Sequence, residues 1–559
     1  MNDKIEVDFD GKEFTVICPF WDNERAKSIP ERKWDRASKK WRVPAVKVNA
    51  NYLKQRYADT ELTESANKMI SKIQSETRVD SLFRFPSWYK WKTEPRPHQM
   101  QALHKSYEMN EFAYFMEMRT GKSFVTIAKS CVHAMEGKVN ALIVVVDSPY
   151  KVVWEDEFND HCPIPYNLHI LEAGKYKAFD DFMLDTKSDG IKVLVTGVEA
   201  YSQGKAAKCA ERFALTHKCA MVVDESTSIK NPESIRTKRI TDIGGLCEYR
   251  MILTGTPITQ GIEDLFAQFR FLNWKIIGIK SYFAFKNRYC VMGGFEGRKI
   301  VGYKNVPELM EALKPYVFLC DAKDVSDPPE RIYERCYVDP TKEQKRMFDE
   351  LGDPFQMATY QNGNMLEVET VLERMIRYMQ ISAGLFPYDK EEGGHGVELI
   401  EGKNPKIEAL IKTIHQARKE TKIIIWTVFQ PEIKLIVDSL KLEFGDDSVC
   451  EYHGQNVETR SAEYKRFQSD PSAKFFVTNK SGSKSLELAV ASMHIFVTNS
   501  FSYETRKQAE ARTNSSKQIQ KNVLYVDIVM NHKIDKTVHA ALERKESVSS
   551  YVKREMRIN

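Results

Sequence analysis

Three groups of residues in this chain have types and spacing that suit one chemistry: Gly121-Lys122-Ser123, Asp224-Glu225 and Leu253-Thr-Gly-Thr-Pro257. The first lies between the apolar run Phe112-Ala-Tyr-Phe-Met116 and the helix-spaced Phe124-Val-Thr-Ile-Ala128, which is the layout of a phosphate-binding loop. Backbone N–H groups at a helix N-terminus meet an anion there, the Lys122 ammonium reaches terminal phosphates, and the Ser123 hydroxyl can ligate Mg²⁺. The pattern departs from the full form at Met116, where a glycine is usual, and at Arg119, where a second often stands. Gly-Lys-Ser by itself also fits an ordinary strand–turn–helix. Asp224 and Glu225 end the apolar run that starts at Cys219. At a strand's carboxyl end, Asp224 can hold the Mg²⁺ that Ser123 also contacts, while Glu225 polarises a water for in-line attack on a γ-phosphate. Paired acids also serve as helix N-caps, but the lysine loop upstream and Leu253–Pro257 downstream favour the nucleotide reading.

Parallel strands must position these groups. Ala141–Val146, Lys192–Gly197, Cys219–Glu225 and Arg250–Pro257 are continuous apolar runs separated by helical spacing. Such runs predict a parallel sheet covered on both faces, with ligands at the strands' carboxyl ends. A second series follows at Lys422–Val428, Cys450–Gly454, Lys474–Thr478, His494–Thr498 and Val523–Asp527, with no second Gly-Lys-Ser. Two lobes and one lysine loop imply a single composite nucleotide site, to which the second lobe must bring a cation for the charge that develops on the phosphates.

With 559 residues the chain has room for several domains, and its net charge of +5 excludes nothing. Its ten cysteines are scattered without a Cys-x-x-Cys pair, which reads as reduced core thiols rather than a zinc site or disulfide framework. No window approaches the length of a membrane span and the N-terminus has no apolar signal region, so an intracellular, cytoplasmic protein without membrane attachment is expected. Between Glu24 and Arg56, eleven Lys or Arg residues face three acids and interleave with Trp34, Trp41 and Tyr52. Cations beside flat rings suit a nucleic-acid surface. They also suit a solvated face over an aromatic core.

The whole pattern resembles the superfamily-two helicase motors of the Swi/Snf-like branch, over about residues 94–550. Gln99 matches the glutamine that reads adenine. Gly121, Lys122 and Ser123 match motif I, with Thr120 expected beside them at the nucleotide, and Pro149, Trp154 and Glu157 match motif Ia. Asp224-Glu-Ser-Thr-Ser-Ile-Lys-Asn231 matches the branch's acid pair, with Thr227 in place of its usual histidine, and Leu253–Pro257 matches motif III. Lys323-Asp-Val325 with Pro328-Pro329 is similar to the segment joining the lobes. Gln508-Ala-Glu-Ala-Arg512 is similar to motif VI, so Gln508 and Arg512 are expected at the phosphates. The family's second arginine is Ser515 here, with Arg506 and Lys517 as the nearest cations. Motif V is matched loosely at Lys480–Leu488, where Ser483 and Lys484 suit a phosphate strand and Ser485 replaces a glycine. Thr196 is assigned to the DNA path as well. Ile29-Pro30, Trp34-Asp35 and Trp41-Arg-Val-Pro44 resemble the HARP-type module that precedes the motor in annealing helicases, which implies DNA contacts from Lys33, Trp34, Lys40, Trp41 and Arg42.

The resemblance thus implies an α/β chain of two RecA-like parallel-sheet lobes with helical insertions and a small N-terminal α+β module. The expected division is a DNA-binding module at 1–60, a connector at 61–95, a first lobe at 96–275, helical protrusions and linker at 276–400 with Arg331, Arg374 and Arg377 toward DNA, a second lobe at 401–530, and a C-terminal brace helix at 531–559. Its compact build is similar to viral or mobile-element versions. The expected activity is a DNA-dependent ATPase, a monomeric motor on double-stranded or branched DNA that uses ATP and Mg²⁺. The rival readings are a protein-displacing motor of the same class and a non-hydrolysing DNA-binding scaffold.

Overall fold

The computed structural model describes residues 4–75, 84–185, 190–293, 299–325, 329–352, 358–359, 365–366, 371–389, 395–456, 458–479, 482, 486–513, 518 and 520–557. The chain divides into two compact units, Met1–Val325 with Val548–Asn559, and Ser326–Ser547.

The first unit is built on a seven-stranded sheet in the order Val317–Cys320, Glu111–Met116, Tyr249–Leu253, Cys219–Asp224, Ala141–Val146, Ile191–Gly197, Tyr166–Ile170, with every neighbour parallel. Its strands are apolar at every position because both faces are covered. Ala113 and Phe115 enter the core on one side, and Phe112, Tyr114 and Met116 enter the core on the other. The chain leaves Glu111–Met116 for Ala141–Val146, and the two strands that arrive later fill the gap between them. Pairing of Leu253 with both Tyr114 and Asp224 then brings three carboxyl ends side by side.

Residues 6–44 of this unit form a separate four-stranded antiparallel sheet in the order Glu6–Phe9, Glu13–Ile17, Lys40–Pro44, Lys33–Asp35. Helices Lys47–Arg56 and Glu64–Ser75 cover it: Ala50, Leu53, Ala66 and Ile70 share a core with Val7, Phe14, Val16 and Val43. Helix Glu64–Ser75, which falls in the stretch assigned to the connector, thus packs into the module. A Cβ on Gly278, at φ +77°, would stand 2.3 Å from Val48 Cγ1, and the Glu31 carboxylate accepts the N–H groups of Lys280 at 3.0 Å and Ser281 at 3.3 Å. An acid there also complements the start of helix Tyr282–Tyr289.

The second unit has a six-stranded, wholly parallel sheet in the order Glu330–Val338, Asn522–Met530, Met493–Phe496, Ile423–Trp426, Phe475–Thr478, Val449–Tyr452. Two parallel-sheet lobes with helices and a small N-terminal sheet are the expected fold class. Residues 276–400 differ from the expectation of helices and linker, because Val317–Cys320 and Glu330–Val338 are edge strands of the first and second sheets. The second of these pairs over nine positions yet stays exposed at Tyr333 and Tyr337, so it lacks the apolar run that marks a buried strand. Most of residues 352–364 and 388–396 lies outside the described residues, as do Phe83, Pro328, Ser515 and Lys517. Among the described residues, no helix is long and apolar enough to cross a membrane.

Candidate nucleotide-binding site

The lysine loop turns on two left-handed residues, Arg119 at φ +66° and Gly121 at φ +86°. Gly121 caps helix Lys122–Met135, and a Cβ there would lie 2.0 Å from Gln99 Nε2. Glycine is therefore needed for both backbone angle and space. Gln99 is itself fixed: its Oε1 accepts the Arg96 N–H at 2.7 Å, and its Nε2 donates to the Thr120 carbonyl at 3.3 Å, which also meets His98 Nε2 at 2.8 Å. Buried Thr120 ties the turn by donating its hydroxyl to the Glu117 carbonyl at 2.7 Å. Gly121→Ala should remove nucleotide binding and cost about 1–3 kcal/mol of stability through the strained angle alone. Thermal unfolding and titration with a fluorescent ATP analogue check both expectations.

Lys122 Nζ donates to the Met116 carbonyl at 3.0 Å and stands 4.0 Å from Glu225 Oε1. Met116 is a fully buried strand residue whose side chain enters the core, which accounts for the missing glycine. Across the gap, Asp224 Oδ2 accepts the Trp154 Nε1–H at 3.1 Å and Oδ1 accepts the Glu225 N–H at 3.0 Å. Burial, then the charge of Glu225, pushes the Asp224 carboxyl up to about 6. Glu225 adopts φ +45°, a strained angle for a non-glycine residue and one that clusters at functional sites. Its Oε2 accepts the Thr254 hydroxyl at 3.1 Å, and Thr254 Oγ1 accepts the Thr256 N–H at 3.1 Å.

Helix Asp264–Ile277 supports both loops. Asp264 accepts the N–H and hydroxyl of Thr259 and the N–H of Gln260, at 2.7, 2.8 and 2.8 Å. Gln268 accepts the Ser226 hydroxyl at 2.7 Å and donates to the Pro257 carbonyl at 2.8 Å. A Cβ on Gly255 would come within 3.1 Å of Glu117 Cα, so the loop after Leu253 runs against the lysine loop.

A third carboxylate, which the motif Ia match named without a role, stands beside the Asp224–Glu225 pair. Glu157 is pushed up to about 7 by burial and then by Asp224 and Asp160, an effect that the nearby Ser123 hydroxyl partly offsets. Its signal is its place one helical turn after Trp154, on the helix that follows Ala141–Val146. Ser123, Asp224 and Glu157 present hard oxygens with excess negative charge, a donor set that fits Mg²⁺.

The remaining site residues fall elsewhere. Thr196 is fully buried, with its hydroxyl 3.3 Å from the Val144 carbonyl and 3.0 Å from the Tyr201 hydroxyl, so the DNA role expected for it is corrected to one inside the core. In the second unit, Arg512 lies in the turn Ala511–Thr513 and donates from Nε to the Gln508 carbonyl at 3.0 Å and from Nη1 to the Leu486 carbonyl at 3.2 Å. Gln508 is buried and donates to Glu504 at 3.3 Å. Arg506 is bound to Asp527 and Glu510, Arg331 stands 3.6 Å from Glu510, and buried Arg377 stands 3.3 Å from Glu373. In the N-terminal module Lys33 and Trp34 are exposed, and Trp34 meets the half-buried Trp41 edge to face. Lys40 is half-buried. Arg42 is bonded to Asp10, Glu13 and Asp35, and Trp41 donates to Asn23 at 3.0 Å. Ser483 and Lys484 lie outside the described residues.

A parallel-sheet lobe with a lysine loop opposite paired acids, joined in one chain to a second parallel-sheet lobe, defines the RecA-like class. Residues 52–383 match the model of the SNF2-related domain family. The chain belongs to that family. It is similar to DNA repair protein RAD5 of Candida glabrata, 21% identical over 341 residues that make up 55% of this chain and 28% of the relative. A Caenorhabditis elegans homologue of the SWI/SNF-related matrix-associated actin-dependent regulator of chromatin subfamily A-like protein 1 is 22% identical over 379 residues, 62% of this chain and 49% of the relative. The chain therefore spans less than half the length of either. The Sulfolobus solfataricus SWI2/SNF2 ATPase core, solved with dsDNA, aligns with 85% of this chain and 97% of its own at 21% identity and a TM-score of 0.37.

Proposed function

We propose that the chain is an ATP-driven motor on double-stranded DNA, a DNA-dependent ATPase that acts on forked or branched substrates. The observation that carries the reading is the convergence of Lys122, Asp224, Glu225 and Thr254 at three adjacent strand ends. Lys122 and the N–H groups at the start of its helix hold the phosphates. Ser123 and Asp224, with Glu157 beside them, would hold Mg²⁺, whose charge offsets that of the phosphates. Glu225 orients water through one carboxylate oxygen while Thr254 fixes the other. As the water oxygen bonds to the γ-phosphorus, the bond to the β–γ bridging oxygen breaks and the water's proton passes toward Glu225. Gln99 borders the loop on the side proposed for adenine, and Gln508 and Arg512 are assigned to the phosphates on the family likeness.

The name of the Candida glabrata relative, a DNA repair protein, supports repair or recombination as the setting. The HARP-like pattern at 29–44 supports a branched substrate read by the N-terminal module. Of the module's candidates, Lys33 and Trp34 are open to DNA, whereas Arg42 is neutralised by three acids. Trp34→Ala should weaken fork binding by about 1–3 kcal/mol if a base stacks on it, and should leave linear-duplex binding nearly unchanged. Fluorescence anisotropy with the two DNA forms at one salt concentration separates these outcomes. The proposal is tested by phosphate release with forked and linear DNA as activators. Stronger activation by forks supports it, and equal activation points to a protein-displacing motor instead.

One observation favours the scaffold reading, a DNA-binding chain that does not hydrolyse: Arg512 already bonds two carbonyls of its own unit. Phosphate release that DNA does not stimulate would select it.

A further inference from the structure

We infer that Lys553, near the end of the C-terminal helix, is a positioning residue that sets the electrostatics of the lysine loop; the inference rests on the reading of that loop as the nucleotide cradle. Helix Lys533–Arg557 ends in the first unit, where Val552 and Met556, one turn apart, are buried in the core on one face of the seven-stranded sheet. These anchors place Lys553 on the rim of the sheet. Its Nζ lies 3.0 Å from Asp321 Oδ1 and 3.3 Å from Glu117 Oε1.

Both carboxylates belong to the frame of the loop. Glu117 follows Met116 directly: its N–H donates to the Cys320 carbonyl at 2.8 Å, its carboxylate accepts the Ala322 N–H at 3.0 Å, and its own carbonyl takes the Thr120 hydroxyl at 2.7 Å. Asp321 follows the neighbouring strand Val317–Cys320. One ammonium thus bridges two acids at the carboxyl ends of paired strands, beside the loop that must receive a polyanion. Without it, Glu117 and Asp321 repel each other and the incoming phosphates. The Lys553 side chain is 18% exposed and those of its partners 35% and 17%, so solvent screens the pair only in part. Helix anchoring alone requires Val552 and Met556. The lysine is explained by the acids.

The test is binding of a fluorescent ATP analogue, with phosphate release measured at saturating ATP, for the full chain and its variants. Lys553→Gln should weaken nucleotide affinity about five- to tenfold, the size expected of a partly screened like charge beside the phosphate loop, with kcat within about twofold. Lys553→Arg should keep wild-type affinity, and Asp321→Asn in the Lys553→Gln background should recover at least about half of the loss, since one repelling charge is gone. Unchanged affinity in Lys553→Gln would overturn the inference. So would an equal loss in Lys553→Arg, or no recovery with Asp321→Asn, either of which assigns the effect to packing of the helix. If the wild type and Lys122→Ala bind the analogue equally, the cradle reading itself has failed. If Lys122→Ala loses binding while Lys553→Gln does not, only the role of Lys553 has failed.

Discussion

Glu225→Gln should lower phosphate release by about 10³-fold, within the 10²–10⁴ that a positioned general base contributes, while nucleotide stays bound. The amide has the shape of the carboxylate, so the turn at φ +45° and the bond from Thr254 are both kept. What is lost is the group that accepts the water's proton. Removing a negative charge 4.0 Å from Lys122 Nζ also leaves that ammonium with one acidic neighbour fewer, so phosphate affinity should hold or rise slightly. The variant should therefore bind the fluorescent analogue at least as well as the wild type and turn over almost none of it. Weakened binding, with turnover falling only in proportion, would show that Glu225 shapes the site rather than activating water.

Lys122→Ala acts earlier, on binding itself. A charge-assisted contact to phosphate contributes about 1.5–3 kcal/mol, so affinity should fall by roughly 10- to 100-fold. Turnover should fall by a further ~10²-fold, because the same charge meets the transition state. Truncation leaves the Met116 carbonyl without this donor, but the loop should stay folded, since Gln99, His98 and Thr120 tie it independently of Lys122. The unfolding midpoint should accordingly shift by no more than a few degrees. A large shift would make Lys122 a structural residue first.

How much of this was legible in the sequence depends on where each residue sits in the sheet. Central strands such as Ala141–Val146 are buried on both faces, so they read as unbroken apolar runs, and the acids that end Cys219–Asp224 stand out against them. Glu330–Val338 is an edge strand with exposed tyrosines, and its composition alone looks like linker. Glu157 and Trp154 were visible as a motif but not as neighbours of Ser123 and Asp224, because that contact depends on the order in which Ala141–Val146 and Cys219–Asp224 enter the sheet. Thr196 was misplaced for a related reason: a hydroxyl near a strand's end points outward or into the core according to its pleat, and Thr196 points inward to Tyr201. The cationic appearance of 24–56 overstated its free charge, since pairing of Arg42 with three acids needs the antiparallel register of the module. Gly121 was legible as a loop glycine, but the side chain that forbids a Cβ there comes from Gln99, on another helix.

The central claim is that Lys122, Asp224 and Glu225 make one hydrolytic site whose turnover DNA controls. Phosphate release by the wild type, Lys122→Ala and Glu225→Gln, each with and without duplex DNA at low salt, tests it most directly. The account predicts that duplex raises the wild-type rate by about tenfold or more, with both variants near background in either condition. Equal rates in the wild type and Lys122→Ala, with or without DNA, would contradict it.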